Sequence, residues 1–183
     1  MKSGSLLTAL LVTLLLTAPA SAGGYVSLGL GDDAGLHGDL ATHFDTDSDT
    51  SHGRLAIGQR TGPFAIEASM FGTGLHGAGG DFRTVSLGVD AKYFYGLGGN
   101  FELFGKAGLN KTWLQNTDSD GGEASGRGKL LGVGVQYRFT TGLIGEAAVF
   151  LDLSRQFVEL SDDQTATLDG EIDTMHIGLS VGL

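Results

Sequence analysis

Apolar and non-apolar residues alternate along most of the chain after its first 22 residues. Within 128–140 the odd positions carry the apolar set Leu131, Val133, Val135, Tyr137 and Phe139. Glycine and polar residues occupy most of the even positions in the same segment. A period of two places successive side chains on opposite faces of a β-strand, so one face meets an apolar medium. Soluble sandwiches also alternate, so this pattern predicts strands without identifying the medium.

The alternation predicts eight strands, and the connections between them differ in length. The predicted strands are 23–31, 52–61, 63–73, 82–96, 101–114, 128–140, 143–159 and 171–183. Long polar connections at 32–51, 74–81, 115–127 and 160–170 alternate with short turns. Outer-membrane barrels have this layout, with extracellular loops and periplasmic turns. The sequence therefore predicts an all-β, eight-stranded antiparallel up-and-down transmembrane β-barrel with both termini on the periplasmic side.

Aromatic residues on the predicted outward face gather at the ends of the strands. Beside the short turns they are Phe64, Tyr93, Tyr95, Phe101, Tyr137 and Phe139. Trp113 and Phe157 lie near the long loops. Amphipathic rings favour the two membrane–water interfaces, so we interpret these groups as aromatic belts. An ordinary hydrophobic core is the alternative, but it gives no reason for rings to prefer strand ends.

The opposite face holds nearly every charge found inside a predicted strand. These lumen charges are Arg54, Arg60, Glu67, Asp90, Lys92, Glu102, Lys106, Arg138, Glu146 and Asp152. Counting residues outward from the turn of each hairpin predicts three pairs of opposite charges on neighbouring strands: Asp90 with Lys106, Lys92 with Glu102, and Arg138 with Glu146. An eight-stranded barrel is only just wide enough for its side chains to fill. We therefore predict a charge-paired, plugged lumen, with Phe71, Phe94, Phe104 and Phe150 also pointing inward. Catalytic carboxylates or a pore lining are the competing readings.

The first 22 residues predict an export signal. Lys2 supplies a positive charge, 6–16 forms an apolar run, and the small residues of 18–22 suit a signal peptidase. We expect cleavage after Ala22, leaving 23–183 as one barrel domain. The run is too short to span a membrane as a helix, and no later segment has the length and apolarity of one. Membrane residence would therefore require a barrel.

Composition restricts the function further. The net charge of −10 opposes binding to nucleic acid, which requires basic surfaces. The chain has no cysteine, so no disulfide stabilises it. Its 32 glycines far exceed ordinary usage and suit a tightly curved sheet.

Three bases interrupt the outward apolar pattern near the long loops: Arg83, Lys111 and Arg155. The phosphates of lipopolysaccharide lie at that level of an outer membrane. Our hypothesis is that these bases contact lipid A phosphates. Snorkelling of long side chains without a specific ligand is the alternative.

The first long loop is acidic, and histidines lie in or beside the first two loops. The spacing of Asp45, Asp47 and Asp49 resembles the start of a calcium loop but lacks its glycine and its distal glutamate. The histidines are His37, His43, His52 and His76, without fixed ligand spacing. We predict no cofactor and no dedicated metal site, only loosely bound divalent cations at the acidic loops.

Three segments carry a family resemblance: 23–29 (GGYVSLG), 101–109 (FELFGKAGL) and 131–139 (LGVGVQYRF). With the predicted signal, strand count and lumen charges, the chain resembles the small eight-stranded barrels of the OmpA-like outer-membrane superfamily. The resemblance implies residence in the outer membrane of a Gram-negative bacterium and insertion by the barrel-assembly machinery. Such barrels commonly end on phenylalanine, whereas this chain ends on Leu183.

The function predicted from these features is a structural or surface-interaction role without catalysis. A small-solute pore is one alternative, and an outer-membrane lipid-modifying enzyme is another. The enzyme would need a serine near a histidine and an acid, and the candidates are His176, Ser180 and Ser154. A soluble lipocalin-like binder is a further alternative, but the Gly-x-Trp signature near the first strand is missing.

Overall fold

The strands form one closed antiparallel ring. The computed structural model describes residues 23–32, 34–45, 51–77, 80–116, 123–142, 145–161 and 167–183. In chain order its elements are β1 (Gly23–Gly31), β2 (Gly35–Gly38), α1 (Asp39–His43), β3 (Phe44–Asp45), β4 (His52–Thr61), β5 (Phe64–Gly77), β6 (Gly80–Gly98), β7 (Phe101–Asn116), β8 (Glu123–Thr141), β9 (Gly145–Ser161) and β10 (Thr167–Gly182). Eight of the strands, β1 and β4 to β10, pair in sequence, and β10 closes on β1. The predicted eight-stranded antiparallel barrel is confirmed.

The strands extend further at the long-loop end than the sequence predicts. Within the predicted loop 74–81 the ladder between β5 and β6 continues to the pair Gly77 and Gly80. The prediction of a long loop there is wrong, because polar residues and glycine do not interrupt a ladder whose backbone bonds continue. Inside the predicted loop 32–51, β2 pairs with β10 and β3 pairs with β5. The predicted signal peptide lies outside the described residues.

The two walls of the barrel have opposite polarity between the aromatic belts. Outward residues are apolar and exposed, with Leu109 at 68% and Val133 at 60% exposure. Ring pairs form one belt, since Phe64 lies 5.1 Å from Tyr93 and Phe101 lies 4.8 Å from Tyr137. Exposed apolar surface on this scale marks contact with an apolar medium or a partner. Among the described residues, no helix is long and apolar enough to cross a membrane.

The polarity of the walls inverts at the long-loop end. There the inward residues form an apolar cluster: Ala34, Leu36, Leu40, Phe44, Leu75, Leu114, Val158, Leu160 and Ile172. Segment 34–45 supplies the first four of these residues and folds over the end of the barrel. The outward residues on the same strands, such as Arg127 and Glu159, are charged and exposed. We call this cluster the apolar cap, and it fills the barrel where its outer face is polar.

Glycines allow the narrow lumen to hold large side chains. Phe104 faces Gly134 across the ladder of β7 and β8, and Phe150 faces Gly178 across that of β9 and β10. A Cβ atom at Gly134 would meet the Phe104 ring and the Leu151 carbonyl, closer than atoms normally approach. Large residues that cover cross-strand glycines are a known device of strongly curved sheets. Many of the glycines therefore serve packing across strands.

Substituting alanine at Gly134 is expected to lower the free energy of unfolding by about 1–3 kcal/mol, because overpacking displaces the Phe104 ring. Gly105 on the neighbouring strand offers a matched control, since a Cβ there would meet nothing within 4 Å. Urea unfolding of Gly134→Ala and Gly105→Ala in detergent micelles measures both changes. Equal stabilities for the two variants would contradict the packing argument.

Candidate functional site

The centre of the lumen is a buried network around Arg54 and Glu67. Arg54 Nη2 donates to Glu67 Oε2 at 2.6 Å and to Asp90 Oδ2 at 2.7 Å. The other oxygen of Glu67 accepts from Lys92 Nζ at 2.7 Å and from the Tyr25 hydroxyl at 2.8 Å. The strands β1, β4, β5 and β6 supply these residues, so their inward side chains converge. Arg54, the two acids it binds and Lys92 are all buried.

A second buried pair lies on the opposite wall. Lys106 Nζ on β7 donates to Asp152 Oδ2 on β9 at 2.6 Å, and both side chains are 0% exposed. The Ser154 hydroxyl donates to the other carboxylate oxygen at 2.5 Å. Removing two charges from water is costly, and here the ion pair and the added hydrogen bond offset that cost.

Glu102 organises the lumen at the short-turn end. Arg60 binds it with two hydrogen bonds, at 2.8 and 2.9 Å, in a bidentate pair. Arg138 and Gln136 also donate to Glu102, at 3.2 and 2.7 Å. Arg138 further pairs with Glu146 at the mouth. Because this end is partly open, these pairs are less buried than those in the centre.

The structure brings all ten predicted lumen charges together, but two of the three predicted pairs are wrong. Lys92 faces Lys106 across the β6–β7 ladder, and the register shifts between Gly96 and Gly98. That bulge moves every cross-strand partner, so Asp90 faces Gly108 instead of Lys106. Long side chains also reach strands that are not their neighbours. The predicted Arg138–Glu146 pair is confirmed.

The lumen is closed at two successive levels. A cavity of about 500 Å³ opens at the short-turn end, and Tyr25, Arg60 and Phe104 are among its lining residues. It ends against the Arg54–Glu67–Asp90 network. Beyond that network a cavity lined by Ser86, Asn110 and His176 among others has a volume of about 10 Å³, less than one water molecule occupies in the liquid. The apolar cap lies further along the barrel axis.

The predicted histidines do not converge on one site. His52 lies inside the lumen, with its ring centroid 4.7 Å from that of His176. His37 bonds Asp173 at 3.2 Å on the outer wall, and the His43 ring bonds the Asp39 carbonyl. The His76 side chain and the acids at 45, 47 and 49 lie outside the described side chains.

The serine and histidine candidates named from the sequence do not contact one another. Neither ring nitrogen of His176 has a hydrogen-bond partner among the described residues. Ser180 is four positions away on the same strand, at a rise of about 3.3 Å per residue. Ser154 donates to Asp152 instead. His176 is also buried in the lumen, away from the wall that a lipid substrate would reach.

The outer rim carries more bases than the sequence analysis identified. Arg83, Lys111 and Arg155 are exposed on the outward face, as predicted. Arg127 and Lys129 are exposed on the same face of β8. The sequence does indicate these two bases, because every second residue counted back from the outward Leu131 also points outward, and this reaches both positions. The prediction missed Arg127 because it began this strand at 128, inside the long-loop end of β8.

A family model matches most of the chain. The model for the outer membrane protein beta-barrel domain covers residues 7–183. No curated protein resembles the chain closely enough in sequence to count as a match.

Solved structures share the fold at low sequence identity. Neisserial surface protein A (NspA) is 17% identical, with a TM-score of 0.67 over 88% of this chain and 99% of its own. Ail, the attachment invasion locus protein of Yersinia pestis, is 14% identical, with a TM-score of 0.50 over 89% and 99%. A major outer membrane protein from Thermus thermophilus is 13% identical, with a TM-score of 0.50 over 89% and 100%. At such identities these similarities concern the fold.

Proposed function

The chain belongs to the outer membrane protein beta-barrel domain family, and from that premise we propose a non-conducting, non-catalytic support at the cell surface. The barrel spans the bacterial outer membrane. Its termini and short turns face the periplasm, and its long-loop end faces outward. Charged outward residues at the level of the second aromatic belt, including Arg127 and Glu159, suit the boundary with water. The protein acts by presenting this end to ions, lipids or other molecules.

The closed lumen is the observation that carries this proposal. Its five acids and five bases are all engaged in ion pairs with one another. Paired charges in a narrow barrel leave no free charged lining for a passing ion. The apolar cap adds a second barrier that hydrated solutes cross poorly. A barrel filled in this way is rigid, and rigidity suits a support.

The family comparison supports a surface role at the level of fold. NspA is named as a surface protein and Ail as an attachment invasion protein. Those names describe the relatives, and their low identity to this chain transfers no ligand. The folded segment 34–45 is consistent with such a role, because it packs its apolar residues inward and leaves Asp39 exposed.

A small-solute pore is the second candidate, favoured by the cavity of about 500 Å³ at the short-turn end. Conduction would require Arg54 to leave Glu67 and Asp90 and would require the apolar cap to open. The first movement would leave paired charges without partners. The second would expose apolar side chains that are now buried. The closed form is therefore the better supported state.

Planar-bilayer recording distinguishes the two candidates. We expect the purified protein to produce no conductance steps above those of the bare membrane, because the lumen is closed at two levels. A sixteen-stranded porin inserted under the same conditions is the positive control, since its lumen is an aqueous channel. Steps that grow with salt concentration in the presence of this protein would overturn the proposal and favour the pore.

A further inference from the structure

The outer wall near the long-loop end carries a compact group of bases on two adjacent strands. Lys111 lies on β7 and Arg127 and Lys129 lie on β8, all pointing outward and exposed. Arg127 is the direct cross-strand partner of Lys111, and Lys129 is the partner of Leu109. Directly opposed residues have Cβ atoms about 4.5–5.5 Å apart. The three flexible cationic ends therefore reach one small anion together.

The nearest acid that the ladders place beside this group is Glu159, opposite Arg127. Lys111, Arg127 and Lys129 form no ion pair within the described part of the chain, although Lys111 Nζ lies 5.0 Å from the Trp113 ring centroid. Glu159 is the cross-strand partner of Arg127 on the far side, without an ion pair to it. Like charges directly opposed across a ladder are destabilising. An anion bound between them would remove that cost.

Arg155 differs from this group. Its Nε and Nη2 atoms each donate to Asp173, both at 2.6 Å, and its Nη1 atom lies 2.9 Å from Glu171. The charge of Arg155 is therefore already paired within the outer wall. Arg83 stands apart on β6, opposite Gln115. The initial hypothesis of a lipid site at Arg83, Lys111 and Arg155 therefore needs a different set of residues.

A groove and an apolar wall adjoin the three bases. The groove has a volume of about 890 Å³, and its lining includes Leu109, Arg127, Lys129, Arg155 and Phe157 together with the acids Glu159, Asp169 and Glu171. One step along the wall toward the short turns, Leu131 and then Val133 are exposed. Trp113 and Phe157 mark the interface level at the predicted second belt. A ligand here meets positive charge at one end and an apolar wall at the other.

We propose that Lys111, Arg127 and Lys129 bind a phosphate group of the glycolipid that forms the outer leaflet, the lipid A part of lipopolysaccharide. The three side chains donate hydrogen bonds to the phosphate oxygens, and the acyl chains lie along Leu109 and Leu131. A soluble anion would not use the apolar wall directly beneath the bases. This assignment rests on the proposed orientation, with the long-loop end outward.

Lipid retention by two matched variants tests the site. Arg127→Gln removes one base of the group, and Arg83→Gln removes one base elsewhere on the rim. Each protein is incorporated into phosphatidylcholine vesicles containing a fixed fraction of bisphosphorylated lipid A, extracted in mild detergent, and its bound lipid counted by mass spectrometry. We expect at least about a tenfold loss for the first variant, since charge-assisted hydrogen bonds contribute that much. The second variant is expected to match the unmodified protein.

Two further vesicle compositions identify the ligand chemistry. Lipid A stripped of its phosphates and phosphatidylglycerol are each expected to be retained far less than bisphosphorylated lipid A. Equal retention of the stripped lipid would overturn phosphate recognition, and equal retention of phosphatidylglycerol would overturn recognition of the glycolipid. An equal loss in both variants would reduce the site to general charge attraction. Heat-modifiable gel migration confirms that each variant is folded.

The outcomes separate this site from the proposed function. A barrel that conducts ions yet retains lipid A overturns the closed lumen and leaves the lipid site intact. A barrel that does not conduct ions and does not retain lipid A overturns the lipid site and leaves the closed lumen intact.

Discussion

Replacing Lys106 with methionine is expected to lower the free energy of unfolding by about 3–5 kcal/mol, the largest effect we predict for a single substitution. Methionine keeps much of the apolar stem and removes the ammonium group. Asp152 is fully buried and, within the described part of the chain, would keep the Ser154 hydroxyl as its one hydrogen-bond partner. An uncompensated buried carboxylate costs far more than the net value of the pair it has lost. Urea unfolding in lipid vesicles, followed by fluorescence of Trp113, the chain's one tryptophan, measures the change.

The double variant Lys106→Met/Asp152→Leu is the control for this prediction. It removes both charges, so most of the lost stability is expected to return, because an apolar pair of similar volume is often neutral or better. A single variant within about 1 kcal/mol of the unmodified protein would show that Asp152 is hydrated or protonated. That result would also weaken the argument for a tightly filled lumen.

Truncating Leu40 to alanine is expected to detach segment 34–45 from the end of the barrel. Leu40 is 1% exposed and packs within the apolar cap, beside Gly170. Loss of a buried leucine side chain typically costs about 2–5 kcal/mol, which is enough to release a short segment that otherwise depends on two short ladders and the rest of the cap. Amide hydrogen exchange is expected to accelerate in 35–45 while β6 to β9 stay protected.

The exposed neighbour of Leu40 provides the control for the cap. Ala41→Ser changes a solvent-facing position on α1 and is expected to leave exchange unchanged. If Leu40→Ala accelerates exchange throughout the barrel strands, the cap is part of the global folding unit and not a separate layer. If it changes nothing, the cap does not depend on this contact.

The sequence predicted the barrel because its signal is local. The alternation within each strand shows which residues face outward, as Leu131, Val133 and Val135 illustrate on β8. The predicted strand boundaries were wrong at the long-loop end of the barrel. There the apolar residues change from the outward to the inward face, and the strands continue. Residues 74–81 looked like a loop because they are polar and rich in glycine, yet the ladder of β5 and β6 runs through most of them. Outside the membrane a strand no longer needs an apolar outer face.

The members of the lumen site were predicted, but only one of the three predicted ion pairs was correct. Alternation alone assigned Arg54, Glu67 and Lys106 to the interior. Partner choice depended on two features that alternation does not encode. One is the bulge near Gly96, which changes the β6–β7 register. The other is reach across the lumen, by which Arg54 on β4 bonds Asp90 on β6.

By itself the sequence determined which side of each barrel strand is apolar, how many strands form the barrel and that their inward charges balance. It could do so because outward residues within the membrane must be apolar, whereas the inward residues between them can be polar or charged. Tertiary structure alone decided which acid holds which base, that segment 34–45 closes the barrel, and that Lys111 meets Arg127. These are contacts between residues distant in the chain, and closure of the ring and its register bring them together.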